Sequence, residues 1–381
     1  MNRRRFLIRS CSTLASGRLL LGAAPVCGHA DRTALPKPVL LSESLVYKHP
    51  DQDPYDPQNR FGFNHAPSVT LLSDGRLLAA WFSGPFEAAV NQVILGCYSP
   101  DGGRNWGPAE ILNDFPRTSD FDPAFIQDGK RTWLFFSAGR WNRYPFLRGE
   151  HAIGAESFKT YCSHTDNAGR GWSEPRVAFE RVGCRTNGIK LSTGELLLPI
   201  YGFVGRTAGV LKSTDQGRSW RRCGDISSPA RADEPTIAEL SSGNVLMFLR
   251  TNDGFIWKSV SQDKGETWST AEKTSIVAGQ ASHNLLRLRD GRIALTHDAC
   301  KPPLRTPLTL RLSGDDAASW GEPLTLAEIA VPGKGEEIWG RQVTYPSVVE
   351  LSHGVLVVVW AEIILGDRVQ YGDIRSARVR V

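Results

Sequence analysis

Ser213-Thr-Asp215-Gln-Gly217-Arg-Ser-Trp220 is one of five versions of a single eight-residue phrase. Close copies are Ser99-Pro-Asp101-Gly-Gly103-Arg-Asn-Trp106 and Ser261-Gln-Asp263-Lys-Gly265-Glu-Thr-Trp268. Looser ones are Thr165-Asp-Asn167-Ala-Gly169-Arg-Gly-Trp172 and Ser313-Gly-Asp315-Asp-Ala317-Ala-Ser-Trp320. A phrase of this length repeated so often means that the chain is assembled from repeated units. Each copy follows a short apolar run, such as Val93–Tyr98 or Phe255–Val260. An Asp that accepts bonds from its own turn, with a Gly at φ > 0, makes a tight hairpin. The Trp is expected to fold back over that hairpin and bury roughly 200 Å² of ring. The phrase therefore reports architecture, not chemistry.

Working outward, a second pattern lies between the copies: an apolar strand, a Gly turn and another strand. Pro67 through Asp74-Gly75 to Trp81 is the clearest case. Others turn at Gly194, Gly243, Gly291 and Gly354, and a looser one at Asp128-Gly129. Each is a hairpin between alternating strands. Six units result, starting near residues 65, 122, 186, 234, 283 and 345. Val39–Val46 is expected to supply the strand that completes the last unit. Arg140–Lys159 is an insertion in the second unit, and long loops of this kind often line a site.

The 381 residues suit one large all-β domain at 31–381, preceded by an export signal at 1–30. Arg3-Arg4-Arg5-Phe6-Leu7 resembles a twin-arginine export motif, with an ordinary secretory signal as the alternative. The weakly apolar Leu19–Ala24 and the small residues of Gly28-His-Ala30 fit either signal. Periplasmic or extracellular localisation follows. All five arginines of that segment leave with it, so the formal +5 becomes 40 basic against 40 acidic residues. A neutral mature chain gives no reason to expect a nucleic-acid partner. No later stretch is long and apolar enough for a membrane helix. Five scattered cysteines remain (Cys97, Cys162, Cys184, Cys223 and Cys300), an odd count that argues against a disulfide framework or a zinc site. No cofactor or metal and a monomeric state are expected.

The eight-residue phrase is similar to the Asp-box, or BNR repeat, of the sialidase (neuraminidase) superfamily. The resemblance covers essentially the whole mature chain. It implies a six-bladed β-propeller of four-stranded antiparallel blades. It also implies a site at the centre of one face. There, arginines clamp a substrate carboxylate, a Tyr attacks the anomeric carbon, a Glu activates that Tyr, and an Asp serves as acid/base. A Tyr is used because a carboxylate nucleophile would sit beside the substrate's own carboxylate, at roughly 4 kcal/mol for like charges 4 Å apart.

Onto that pattern fall Glu234 before Pro235, Arg250 sixteen positions on, Arg305, and Tyr345 forty positions later. The resemblance makes Tyr345 the nucleophile, Glu234 its base, and Arg250 and Arg305 the clamp. The alternative for each is an ordinary strand-end residue. Two departures stand out. The family's first arginine, in an Arg-Ile-Pro phrase, is replaced by His65 of His65-Ala-Pro67. The acid/base Asp is not evident: Glu87 is the first choice, with Asp122 and Glu150 behind it. Arg185 opens the third unit and is expected to reach the ligand, while Arg140, Trp141 and His151 are candidates for an outer sugar.

The expectation is an exported exo-α-sialidase-like glycoside hydrolase acting on a glycan with a terminal acidic sugar. A polysaccharide lyase on uronate-type glycans, with His65 or Tyr345 moving the proton, is one alternative. A non-catalytic glycan-binding propeller is the other. The Glu234–Tyr345 pair separates them, because a pure binder has no use for an activated Tyr.

Overall fold

The computed structural model describes residues 35–50, 61–143, 153–202, 207–330, 340–365 and 370–381. The expected export segment, Glu150 and His151 lie outside them. The described residues contain twenty-five strands and no helix. The strands form six antiparallel sheets, the blades of a six-bladed β-propeller. The innermost strands begin at Phe63, Ser119, Val182, Asp233, Asn284 and Arg341, within four residues of the six units read from the sequence. Five blades have four strands. The third has five, because its innermost strand is broken into Val182–Cys184 and Ile189–Lys190, both paired with Leu196–Gly202.

The last blade is completed as expected. Val39–Tyr47 pairs antiparallel with Gln370–Arg380 and forms the outermost strand of blade six. Around the axis, side chains tie each blade to the next. Asn187 of blade three accepts from Phe125 N at 2.9 Å and donates to Val69 O at 2.8 Å. Asn284 of blade five accepts from Val348 N of blade six at 3.0 Å, and Ser347 of blade six accepts from Val69 N of blade one at 3.2 Å. Thr186 of blade three donates to Pro235 O of blade four at 2.6 Å, and Thr236 accepts from Leu285 N of blade five at 2.9 Å. These bonds satisfy backbone groups that no strand partner reaches, and buried groups of that kind must be paired.

The repeated phrase folds as its chemistry dictates. Asp101 Oδ1 accepts from the N–H groups of Arg104 and Asn105 at 3.1 and 2.9 Å, and Gly103 N donates to Ser99 Oγ at 2.8 Å. Asp215, Asp263 and Asp315 accept equivalent bonds from Ser219, Thr267 and Ser319. Such bonds hold the Asp101, Asp215 and Asp263 carboxyls down at about 2. The tryptophans reach further than expected. Trp106 donates to Ser376 Oγ of blade six at 3.1 Å. Trp220 stands edge-on to Phe135 of blade two at 5.1 Å, and Trp320 packs on Phe248 of blade four. The indole thus covers the preceding blade, because the neighbour's apolar face is the larger surface to bury. All five described cysteines are free and four are buried, as small core residues.

A feature of the innermost strands positions the chemistry. In blades one, two, four and six the pairing register shifts near the start of the innermost strand. There a non-glycine residue takes a left-handed conformation: Ala66 (φ 53°), Asp122 (52°), Glu234 (33°) and Tyr345 (57°). Each is followed by a proline. A bulge of this kind bends the strand and re-aims a side chain.

Candidate active site

Tyr345 sits where these bulges converge. Its ring is surrounded by three guanidinium groups, with Cζ of Arg185, Arg305 and Arg250 at 5.0, 5.5 and 5.9 Å from its centroid. The His65 ring is 4.2 Å away, tilted by 54°. Tyr345 Oη accepts from Arg250 Nη1 at 2.7 Å and donates to Glu234 Oε1 at 3.1 Å. Arg250 Nη1 and Glu234 Oε1 are themselves 2.5 Å apart. Residues from the first two strands of blade four and the first strand of blade six thus meet at one phenol oxygen.

The electrostatics give each group a distinct role. Burial alone would raise Glu234, but the charge and hydrogen bond of Arg250, helped by Arg185 and Arg305, bring it below the ordinary carboxylate range. Glu234 is therefore ionised beside the phenol, and its Oε2 is buried without a partner. Burial raises the Tyr345 phenol, and Arg250 opposes that rise. Asp122 is pushed up to about 7, first by burial and then by the negative charges of Glu234 and Glu87, against the pull of Arg185 and a hydrogen bond from Tyr201 Oη at 3.1 Å.

The other expected site residues have separate fates. Arg305 is half-buried. It donates from Nη1 to Gln342 Oε1 at 3.1 Å, and its Nε is buried with no partner. No carboxylate pairs with it among the described residues. His65 lies in the site at 4 % exposure, but burial and the charges of Arg305, Arg185 and Arg250 push its imidazole well below its ordinary 6.5. It is neutral there and does not supply the positive charge of the arginine whose place it takes. Arg185 is also not a surface for ligand. It is 1 % exposed and donates to Pro67 O, Tyr345 O and Ser68 Oγ at 3.1–3.3 Å. Its long side chain spans blades one and six beneath the Tyr345 ring, so it builds the floor of the site.

Glu87 lies exposed in the turn after the second strand of blade one, and its charge acts on Asp122. Of the two carboxyls, Asp122 has the burial and the pKa of a general acid. The sequence carried a signal for it: Asp122-Pro123 repeats the arrangement of Glu234-Pro235 and Tyr345-Pro346. Trp141 packs edge-on against Phe121 and donates from Nε1 to Ser119 Oγ at 3.3 Å, while Arg140 is exposed. One group went unread in the sequence: Asp298, a buried carboxyl raised to about 7 by desolvation. Among the described residues no set of three or more His, Cys, Asp or Glu is arranged to hold a metal ion.

A family model described as a BNR repeat-like domain matches residues 75–358. The chain belongs to the BNR repeat-like domain family. A sialidase from Micromonospora viridifaciens is 25 % identical over 294 residues, covering 67 % of this chain and 44 % of that one. This BNR repeat-like chain thus spans less than half the length of that relative. Among solved structures, a protein of unknown function from Dyadobacter fermentans superposes with a TM-score of 0.71 at 18 % identity, over 91 % of this chain and all of that one. The Hadza microbial sialidase Hz136 gives 0.70 at 16 %, over 89 % and 68 %. At such identities the likeness establishes the sialidase-like propeller fold of this BNR repeat-like protein and nothing of its chemistry.

Proposed function

We propose that this protein is an exported glycoside hydrolase of the exo-α-sialidase type, acting on a terminal acidic sugar. The observation that carries the reading is the phenol of Tyr345, held between an ionised Glu234 and the Arg250 guanidinium. Glu234 takes the phenolic proton as Tyr345 Oη attacks the anomeric carbon, and Arg250 stabilises the charge that develops on that oxygen. Asp122, half-protonated near neutrality, gives its proton to the departing oxygen and later takes one from the attacking water. Arg305, without a carboxylate of its own, receives the substrate's carboxylate, assisted by Arg250. The Arg3-Arg4-Arg5 opening is the support for export.

The neutral His65 favours one second reading. An uncharged imidazole packed beside Tyr345 suits proton transfer in β-elimination from a uronate better than it suits an anion clamp. The test is turnover of chromogenic α-sialosides and uronides, read beside the absorbance of unsaturated uronate, in wild type and Tyr345→Phe. Sialoside hydrolysis lost in Tyr345→Phe, with acidic-sugar binding retained, is expected. Unsaturated product would establish the lyase, and undiminished hydrolysis in Tyr345→Phe would overturn the assignment of Tyr345.

A further inference from the structure

Asp298 ends the second strand of blade five, Ile293–Asp298, and is 2 % exposed. Its Oδ2 accepts a 2.8 Å hydrogen bond from Thr344 Oγ1, which is fully buried, and its Oδ1 is buried with no partner. Thr344 immediately precedes Tyr345, at the point where the register of blade six shifts. A left-handed non-glycine residue such as Tyr345 costs about 1–2 kcal/mol and persists only where its surroundings over-determine it. Two other blades supply those surroundings. Arg185 of blade three holds the Tyr345 carbonyl at 3.1 Å from one flank. Asp298 holds Thr344 from the other, and Val343 N is tied to Arg305 O at 3.1 Å beside it. The backbone of Gly279 passes so close that a Cβ there would meet Asp298 Cβ at 3.2 Å and Oδ2 at 3.5 Å.

We propose that Asp298 is a positioning residue that fixes, through Thr344, the turn that aims Tyr345. This rests on the reading of Tyr345 given above.

Asp298→Asn keeps an acceptor for Thr344 and cannot ionise, whereas Asp298→Ala and Thr344→Val break the link. Crystal structures should show Tyr345 Oη still in reach of Glu234 in Asp298→Asn and displaced in the other two. Turnover of a chromogenic α-sialoside should fall through kcat, with KM little changed, in Asp298→Ala and Thr344→Val, and should be retained in Asp298→Asn. An undisplaced Tyr345 in Asp298→Ala and Thr344→Val, or a displaced one in Asp298→Asn, overturns the positioning role. If the wild type turns over no acidic glycoside, the proposed function fails, and the crystal structures alone then decide whether Asp298 positions Tyr345.

Discussion

The phenol of Tyr345 has both an acceptor and a cationic donor on one oxygen, and that pairing dictates how its neighbours should respond to substitution. Glu234→Gln removes the base but keeps the shape, so kcat should fall by about 10²–10⁴ while KM changes little. Steady-state kinetics on a chromogenic substrate reads both. Asp122→Asn should slow the first, glycosyl-transfer step far more for poor than for activated aryl leaving groups and slow the second step for both, whereas Glu87→Gln should do neither. The leaving-group dependence appearing in Glu87→Gln instead would return the acid role to Glu87. Buried titratable groups also set the pH range of stability. His283 and His297 are each depressed from 6.5 to about 3, first by burial. Their folded pKa lies below the unfolded one, so their contribution is present above 6.5 and is lost as pH falls toward 3. Asp122 and Asp298 are raised from 3.8 to about 7, so theirs is present below 3.8 and is lost as pH rises through 7. Between 3.8 and 6.5 the two pairs oppose each other. In His283→Gln and His297→Gln the fall in Tm across that window should therefore be smaller than in wild type, whatever their absolute Tm. A steeper fall would show that these imidazoles do not resist protonation.

Turns and bulges are where local sequence and tertiary demand meet. Four of the five repeated turns place Gly in the left-handed region, at Gly103, Gly169, Gly217 and Gly265, with φ between 80° and 86°. The fifth places Ala317 there at 65°. Ala317→Gly should relieve that strain and, despite the larger entropy of an unfolded Gly, raise stability by up to about 1 kcal/mol. A lower Tm by calorimetry would mean that the turn is already relaxed. Such turns are legible because Asp, Gly and Trp each do a local job at a fixed offset, and six hairpins then give the blade count directly. Glu234, Arg250, Arg305 and Tyr345 were legible through the family resemblance, whose order and spacing they match. Asp122 ranked too low because its distinction comes from burial beside Glu234 and Arg185, residues 112 and 63 positions away in the chain. Asp298 left no mark at all: nothing near it in sequence announces a hydrogen bond to Thr344. Arg185 was misread because an arginine at a strand start looks the same whether it faces solvent or a neighbour's carbonyls.

Across the whole molecule, no blade contributes its chemistry alone, since the site needs blades one to six in one ring. Asn187 is a keystone of that ring, serving Val69 O and Phe125 N on two other blades. Asn187→Ala strands both groups, and each unpaired buried polar group costs about 1–3 kcal/mol. A loss of about 2–4 kcal/mol in chemical denaturation is expected, still in one cooperative transition. A loss near zero would show that water replaces the amide. The strand that completes blade six has a further consequence, for synthesis. Val39 pairs with Arg380, so this strand must wait for a partner 341 positions further on. At translation rates of about 5–20 residues per second, that stretch takes roughly 20–70 s to emerge. For that time Val39–Tyr47 is an orphan strand, with Val46 and Tyr47 to shield. Closure of blade six therefore waits until Arg380 has been made, and any nascent-chain binder that guards Val39–Tyr47 must keep hold of it until Gln370–Arg380 has emerged.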